Sequence, residues 1–233
     1  EPNLQQQLVE IGYQGKKLEE LEGLNATEKA KMLFIVQDPY TSYYDAKVVR
    51  DFVALAQKLG FEPILLPFKP NGKAMHIKGF LARFSKTAKT QAEFLNRVAK
   101  LNVPLVGVDP AIVLSYRDEY KEALGDSRGD FHVLTAHEWL TNQLESNALQ
   151  SAVKNIAKSD RTFEWHLFPH CTESTFMPNS PKEWQNIFAQ FGQTLNVEKV
   201  GCCGMAGVFG HEVQNQTMSK DIYDVSWGKK LQG

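Results

Sequence analysis

The stretch "MLFIVQDPYTSYYDAKVVRDFVALAQKLGFEPILLP", residues 32–67, changes rhythm twice. It opens on five apolar residues in a row and closes on another short apolar run from Pro63. Between these runs Val48, Val49, Phe52, Val53, Ala56 and Leu59 recur at helical spacing, and Gly60 follows. A short unbroken apolar run bounded by turn residues reads as a strand covered on both faces, and a 3.6-residue period reads as an amphipathic helix. Gly60 supplies the left-handed stop of that helix. Strand, helix and strand in this order predict parallel pairing across a helical crossover, and hence an α/β fold.

Working outward, "TQAEFLNRVAKL" (90–101) reads as a helix and "PLVGV" (104–108) as a strand. "PAIVLSYRDEYKEAL" (110–124) reads as a helix with proline in its first turn. After a helical "HEWLTNQLES" (137–146) and a connector "VKNIAKSDR" (153–161) the order starts again. "FEWHLF" (163–168) is a strand and "PKEWQNIFAQFGQTL" (181–195) a helix; "VEKVG" then carries a strand ending near Val200, and "GHEVQNQTMSKDIYDVSW" (210–227) opens another helix. The reading is two similar Rossmann-like α/β lobes with mostly parallel sheets, from an internal duplication of about 100 residues per copy. The lobes span 31–130 and 131–233. Residues 1–30 are polar with scattered leucines and read as a connector.

Bulk properties narrow the function. With 233 residues and a formal charge of −1, the chain buries a real core and has no broad attraction for nucleic acid or anionic lipid. Three cysteines are too few for a disulfide framework and predict a reducing, cytoplasmic setting. No apolar run approaches the roughly 20 residues that span a bilayer, so a membrane association would run through a partner.

The cysteines are placed unevenly. Cys171 follows the strand ending at Phe168, and "VGCCGMAGVFGHE" (200–212) holds Cys202 and Cys203 among glycines. Ligands in open α/β sheets gather beyond the carboxyl ends of strands, and the 30 residues between Cys171 and Cys202 suffice for one helix to return the chain to the same sheet edge. Three thiolates at one edge are soft donors for iron–sulfur clusters or zinc. The equivalent positions of the first copy carry Asp38-Pro39 and "KPNGK", without cysteine.

These residues resemble a known family. A cysteine followed, some 30 residues on, by Cys-Cys-Gly resembles the cysteine-rich CCG domain. That domain occurs in duplicate in heterodisulfide reductase and in the iron–sulfur components of glycolate oxidase and glycerol-3-phosphate dehydrogenase. "VQDPYTSYYDAKVV", "GVDPAIVLSYRDEY", "FPHCTEST" and "GCCGMAGVFGHE" together resemble the carboxyl-terminal portion of long single-chain FAD and iron–sulfur D-2-hydroxyacid dehydrogenases, of the D-lactate or D-2-hydroxyglutarate type. The resemblance covers residues 30–233. It implies a 4Fe-4S cluster held by Cys171, Cys202 and Cys203, with electrons arriving from an FAD that is bound in an upstream domain and not here. Upstream FAD and ferredoxin-like domains of the same polypeptide are the implied partners. The family pattern adds a further cysteine about 35 residues after the pair, past Gly233, so the fourth ligand is expected beyond the chain given.

Other readings stay open at this point. Zinc with three cysteines and His170 or His211 suits tetrahedral ligation, and a structural or interaction module with metal-free thiols, or a thiol switch at Cys202-Cys203, uses the same residues. Asp38-Pro39 and Asp109-Pro110 read either as cleft groups or as helix caps with proline in the first turn. Lys69, Lys73 and His76 read as an anion site or a solvated loop, and Glu212 as a carboxylate in the first turn of a helix. Trp165, Trp184 and Trp227 are assigned to packing, while His137 and Trp139 receive no role. The glycines of "GMAGVFG" make no dinucleotide fingerprint, because no acidic residue stands at ribose distance.

Overall fold

The structure is a computed structural model that describes residues 3–21, 23–145, 149–157 and 163–231. Helices α1 (Leu4–Glu10) and α2 (Ala26–Lys29) precede β1 (Met32–Val36). Next come α3 (Pro39–Tyr43), α4 (Ala46–Lys58), β2 (Glu62–Leu65), α5 (Lys73–Ile77), α6 (Leu81–Ala99), β3 (Leu105–Gly107), α7 (Pro110–Arg117), α8 (Glu119–Leu124) and β4 (Val133–Thr135). The chain continues through α9 (Ala136–Leu144), α10 (Gln150–Ala157), β5 (Glu164–Leu167), α11 (Cys171–Phe176), α12 (Ser180–Gln190), β6 (Thr194–Val197), α13 (Gln216–Val225) and α14 (Trp227–Leu231).

The α/β class holds. Four parallel strands form one sheet in the order β2-β1-β3-β4, and β5 pairs in parallel with β6 in a second. Strand β1 is central, and all five of its residues are buried. Alternation divides them between two cores. Met32, Phe34 and Val36 pack with Phe84, Leu95, Tyr116 and Tyr120, while Leu33 and Ile35 pack with Leu8, Val53 and Trp139. Both faces are covered, as parallel sheets require. Pro63 is tolerated because β2 lies at the sheet edge. Ile187 of α12 enters the second of these cores, docking the later half on the earlier one.

Several expectations shift. Strand β4 extends the first sheet to Thr135, past the division at residue 130. Residues 1–30 do more than connect: Leu4, Leu8 and Leu21 are buried, and the Asn3–Gln6 capping box starts α1. The helix read over 90–101 already begins at Leu81, and that over 110–124 breaks at Asp118 into α7 and α8. The helix read to residue 195 stops at Gln190, where Gly192 turns left-handed at φ 70° and Gln193 N–H closes onto the Phe188 carbonyl. Its last residues belong to β6, which ends at Val197 rather than Val200. The final long helix starts only at Gln216, after two short 3-10 turns. The connector over 153–161 is helical to Ala157, and residues 158–161 lie outside the described residues.

Candidate functional site

Strands β5 and β6 run in register, with Leu167 opposite Val197. The chain therefore leaves both at the same end of the sheet. From β5 it reaches Cys171, the first residue of α11, whose preceding turn is closed by His170: Nδ1 accepts the Thr172 N–H at 3.2 Å. From β6 it reaches Cys202 and Cys203. Cys171 and Cys202 are exposed and Cys203 is half-buried.

The Cys-Cys turn is fixed from outside. Gly201 N–H donates to Ser226 Oγ at 2.6 Å and Trp227 Nε1–H to the Gly201 carbonyl at 3.2 Å. Ser219 Oγ–H donates to the Gly204 carbonyl at 2.8 Å. Gly204 has φ 85°, and a Cβ there would stand 2.1 Å from the Ser219 carbonyl oxygen, so both conformation and space demand glycine. Gly207 lies against Ile77 of α5, where a Cβ would meet Cδ1 at 2.3 Å. The Gly204 N–H also donates to Cys202 Sγ at 3.3 Å.

The donor chemistry suits a soft metal or an iron–sulfur cluster: three thiols on two turns that leave adjacent strands at the same end. Among the described residues, no three His, Cys, Asp or Glu side chains stand as a ready-made ion site. The two histidines point to other work. His170 is a cap, and His211 stacks on Tyr40 with centroids 6.0 Å apart and sits 5.7 Å from the Tyr44 ring. His211 thus lines a cleft of about 380 Å³ shared with Phe68, Pro70 and Lys73 of the first lobe.

The remaining candidates resolve into packing. Asp38 Oδ1 accepts the Tyr40 and Thr41 N–H groups at 2.8 and 2.9 Å, and Asp109 Oδ1 those of Ala111 and Ile112 at 2.7 and 3.1 Å. Both are helix caps followed by proline. Burial pushes the Asp38 carboxyl above its ordinary range, with hydrogen bonds from Thr41 opposing and the charge of Asp109 adding. Asp38 and Pro39 thus hold, at the end of β1, the cap and first-turn places that His170 and Cys171 hold after β5. Lys73 pairs with Glu119, Lys69 lies over the Phe94 ring at 5.0 Å and His76 packs on Phe84 at 4.8 Å, so each already has a partner within the protein. Glu212 pairs with Lys78 of the first lobe instead of opening a helix. Trp184 and Trp227 pack against Phe188 and Phe168, and Trp165, though 46% exposed, stands edge-on to Phe188 with centroids 6.0 Å apart.

One group escaped the sequence reading. His137 is buried between Thr135, Glu173 and Glu183. The capping box Thr135–Glu138 marks the start of α9, yet nothing local announces that the neighbouring histidine is enclosed by two carboxylates much later in the chain, Glu173 and Glu183.

Comparison with known proteins follows the same line. The chain is 81% identical over all 233 of its residues to a protein of Haemophilus influenzae named D-2-hydroxyglutarate dehydrogenase, of which the match covers 23%. A protein of the same name from Escherichia coli is 56% identical over 231 residues, 99% of this chain and 22% of that protein. One from Pseudomonas putida is 38% identical over 211 residues, 91% of this chain and 20% of that protein. The chain thus spans less than a quarter of the length of the curated relatives it matches. No protein-family model and no solved structure matches it. Among the described residues, no helix is long and apolar enough to cross a membrane.

Proposed function

We propose that this chain is the carboxyl-terminal segment of an oxidoreductase of the D-2-hydroxyglutarate dehydrogenase kind, and that Cys171, Cys202 and Cys203 give thiolates to an iron–sulfur cluster. When bound, the cluster supplies a carrier for electrons drawn from a flavin held elsewhere in the polypeptide. The observation that carries the reading is topological: the only three thiols leave the same end of one parallel strand pair.

The chain's own residues do the holding. Ser219, Ser226 and Trp227 pin the Cys-Cys turn. The Gly204 N–H is aimed at Cys202 Sγ, and His170 fixes the turn that presents Cys171. The glycines after the cysteines serve this packing against Ser219 and Ile77, which leaves FAD to another part of the protein. The first lobe, with Asp38-Pro39 in the corresponding place, acts as the scaffold.

Anaerobic purification of the full-length polypeptide tests this. A brown protein with iron and acid-labile sulfide, lost in a variant with Cys202 and Cys203 replaced by serine, supports the reading. A colourless protein carrying zinc, or no metal, at these cysteines overturns it.

A further inference from the structure

His137 takes no part in the chemistry above, yet it is 1% exposed and its ring nitrogens stand against Thr135 of β4, Glu173 of α11 and Glu183 of α12. Nδ1 lies 3.4 Å from Glu173 Oε1 and 3.0 Å from Thr135 Oγ1, and Nε2 lies 3.2 Å from Glu183 Oε2. Glu173 is itself 7% exposed and accepts the Trp184 Nε1–H at 3.3 Å. It is the third residue of α11, the helix that Cys171 opens. Thr135 ends β4, the edge strand of the four-stranded sheet. Its N–H donates to Glu138 Oε2, and Glu138 is clamped in turn by Arg117. A polar chain thus runs from the rigid sheet through Thr135, His137 and Glu173 to the turn that carries Cys171.

Helix α11 has six residues, too few to hold its own orientation. Its direction is set by what it touches. Without His137 the buried Glu173 carboxylate keeps only the Trp184 N–H, and under-satisfying a buried carboxylate is costly, so Glu173 ties α11 to the place where His137 stands. We propose that His137 is a positioning residue for Cys171: through Glu173 it transmits the placement of the four-stranded sheet to the Cys171 thiol. The inference rests on the reading of Cys171 as a cluster ligand.

The test uses the full-length polypeptide, with wild type, His137→Ala and His137→Asn compared. Asparagine returns a polar atom close to the place of Nδ1. Expected for the alanine variant are altered electron paramagnetic resonance g values of the reduced cluster and hydrogen exchange about tenfold faster across residues 171–176. Exchange across residues 202–210 stays unchanged, and the asparagine variant returns both readouts toward wild type. Glu173→Ala removes the other end of the contact without burying a lone charge, and serves with the same expectation if His137→Ala does not fold. Unchanged g values together with unchanged exchange at 171–176 overturn the proposal. So does equal loosening of both cysteine turns, which marks His137 as a general packing residue. A wild-type protein without iron defeats the ligand reading itself, and exchange confined to 171–176 then still reports whether His137 holds that turn.

Discussion

Strands β1 and β5 occupy corresponding places, each followed by a capped short helix, a longer helix and a parallel partner strand, yet their surroundings are opposite. All five residues of β1 are buried between two cores, while three of the four in β5 are exposed and the fourth is only partly covered. A two-stranded sheet contributes little stability by itself. The later lobe is held by what it leans on: Ile187 in a core of the first lobe, Gly207 on Ile77, and Lys78 paired with Glu212. The difference teaches a division of labour, with stability concentrated in the first lobe and the thiols carried on turns whose geometry is borrowed from it.

The strongest way to break this comparison is a pair of aromatic truncations, one in each strand. Phe34→Ala in β1, a fully buried site, is expected to cost about 3–5 kcal/mol in urea unfolding. Trp165→Ala in β5, 46% exposed, should cost less than about 1 kcal/mol. Equal losses would end the asymmetry. Next in size is Gly204→Ala, which meets the Ser219 carbonyl and a left-handed φ. It is expected to cost about 1–3 kcal/mol, with faster hydrogen exchange confined to the Cys-Cys turn and α13. Loosening that reaches β1 would contradict the borrowed geometry.

Smaller still are the caps. Asp38→Ala removes an acceptor of two backbone N–H groups and should cost about 1 kcal/mol. His170→Ala, which removes a single acceptor, should cost about half of that. The smallest effect is electrostatic. Burial raises the Glu138 carboxyl, but hydrogen bonds from Arg117 and Thr135 outweigh it and hold it below the ordinary range. Stability from this group is present above the ordinary glutamate range and is lost as pH falls through the depressed folded value. Glu138→Gln should therefore flatten the acid limb of a stability–pH curve. Glu198, lowered by hydrogen bonds from His166 and Lys230, lies at the surface, so Glu198→Gln should leave that limb nearly unchanged, the more so in salt.

What the sequence disclosed follows the same divide. Strand β1 and α4 were legible because their patterns are complete: five apolar residues covered on both faces, then one apolar stripe ended by Gly60. Strand β6 was misread because "TLNV" is short and only Leu195 is fully buried, leaving no period to detect. The three residues of β4 owe their place to pairing with β3, which no local pattern encodes. That Cys171 and Cys202-Cys203 each follow one of two paired strands was legible from the short apolar runs before them. His137 was not, since its enclosure is built by α11 and α12, far along the chain.

The central claim is that the two cysteine turns serve one group. Its most direct test counts iron and acid-labile sulfide in the anaerobic full-length polypeptide with Cys171→Ser and Cys202→Ser made one at a time. The account predicts that either substitution lowers both contents and alters the same paramagnetic signal. Full iron, full sulfide and an unaltered signal in Cys171→Ser, beside their loss in Cys202→Ser, would contradict it.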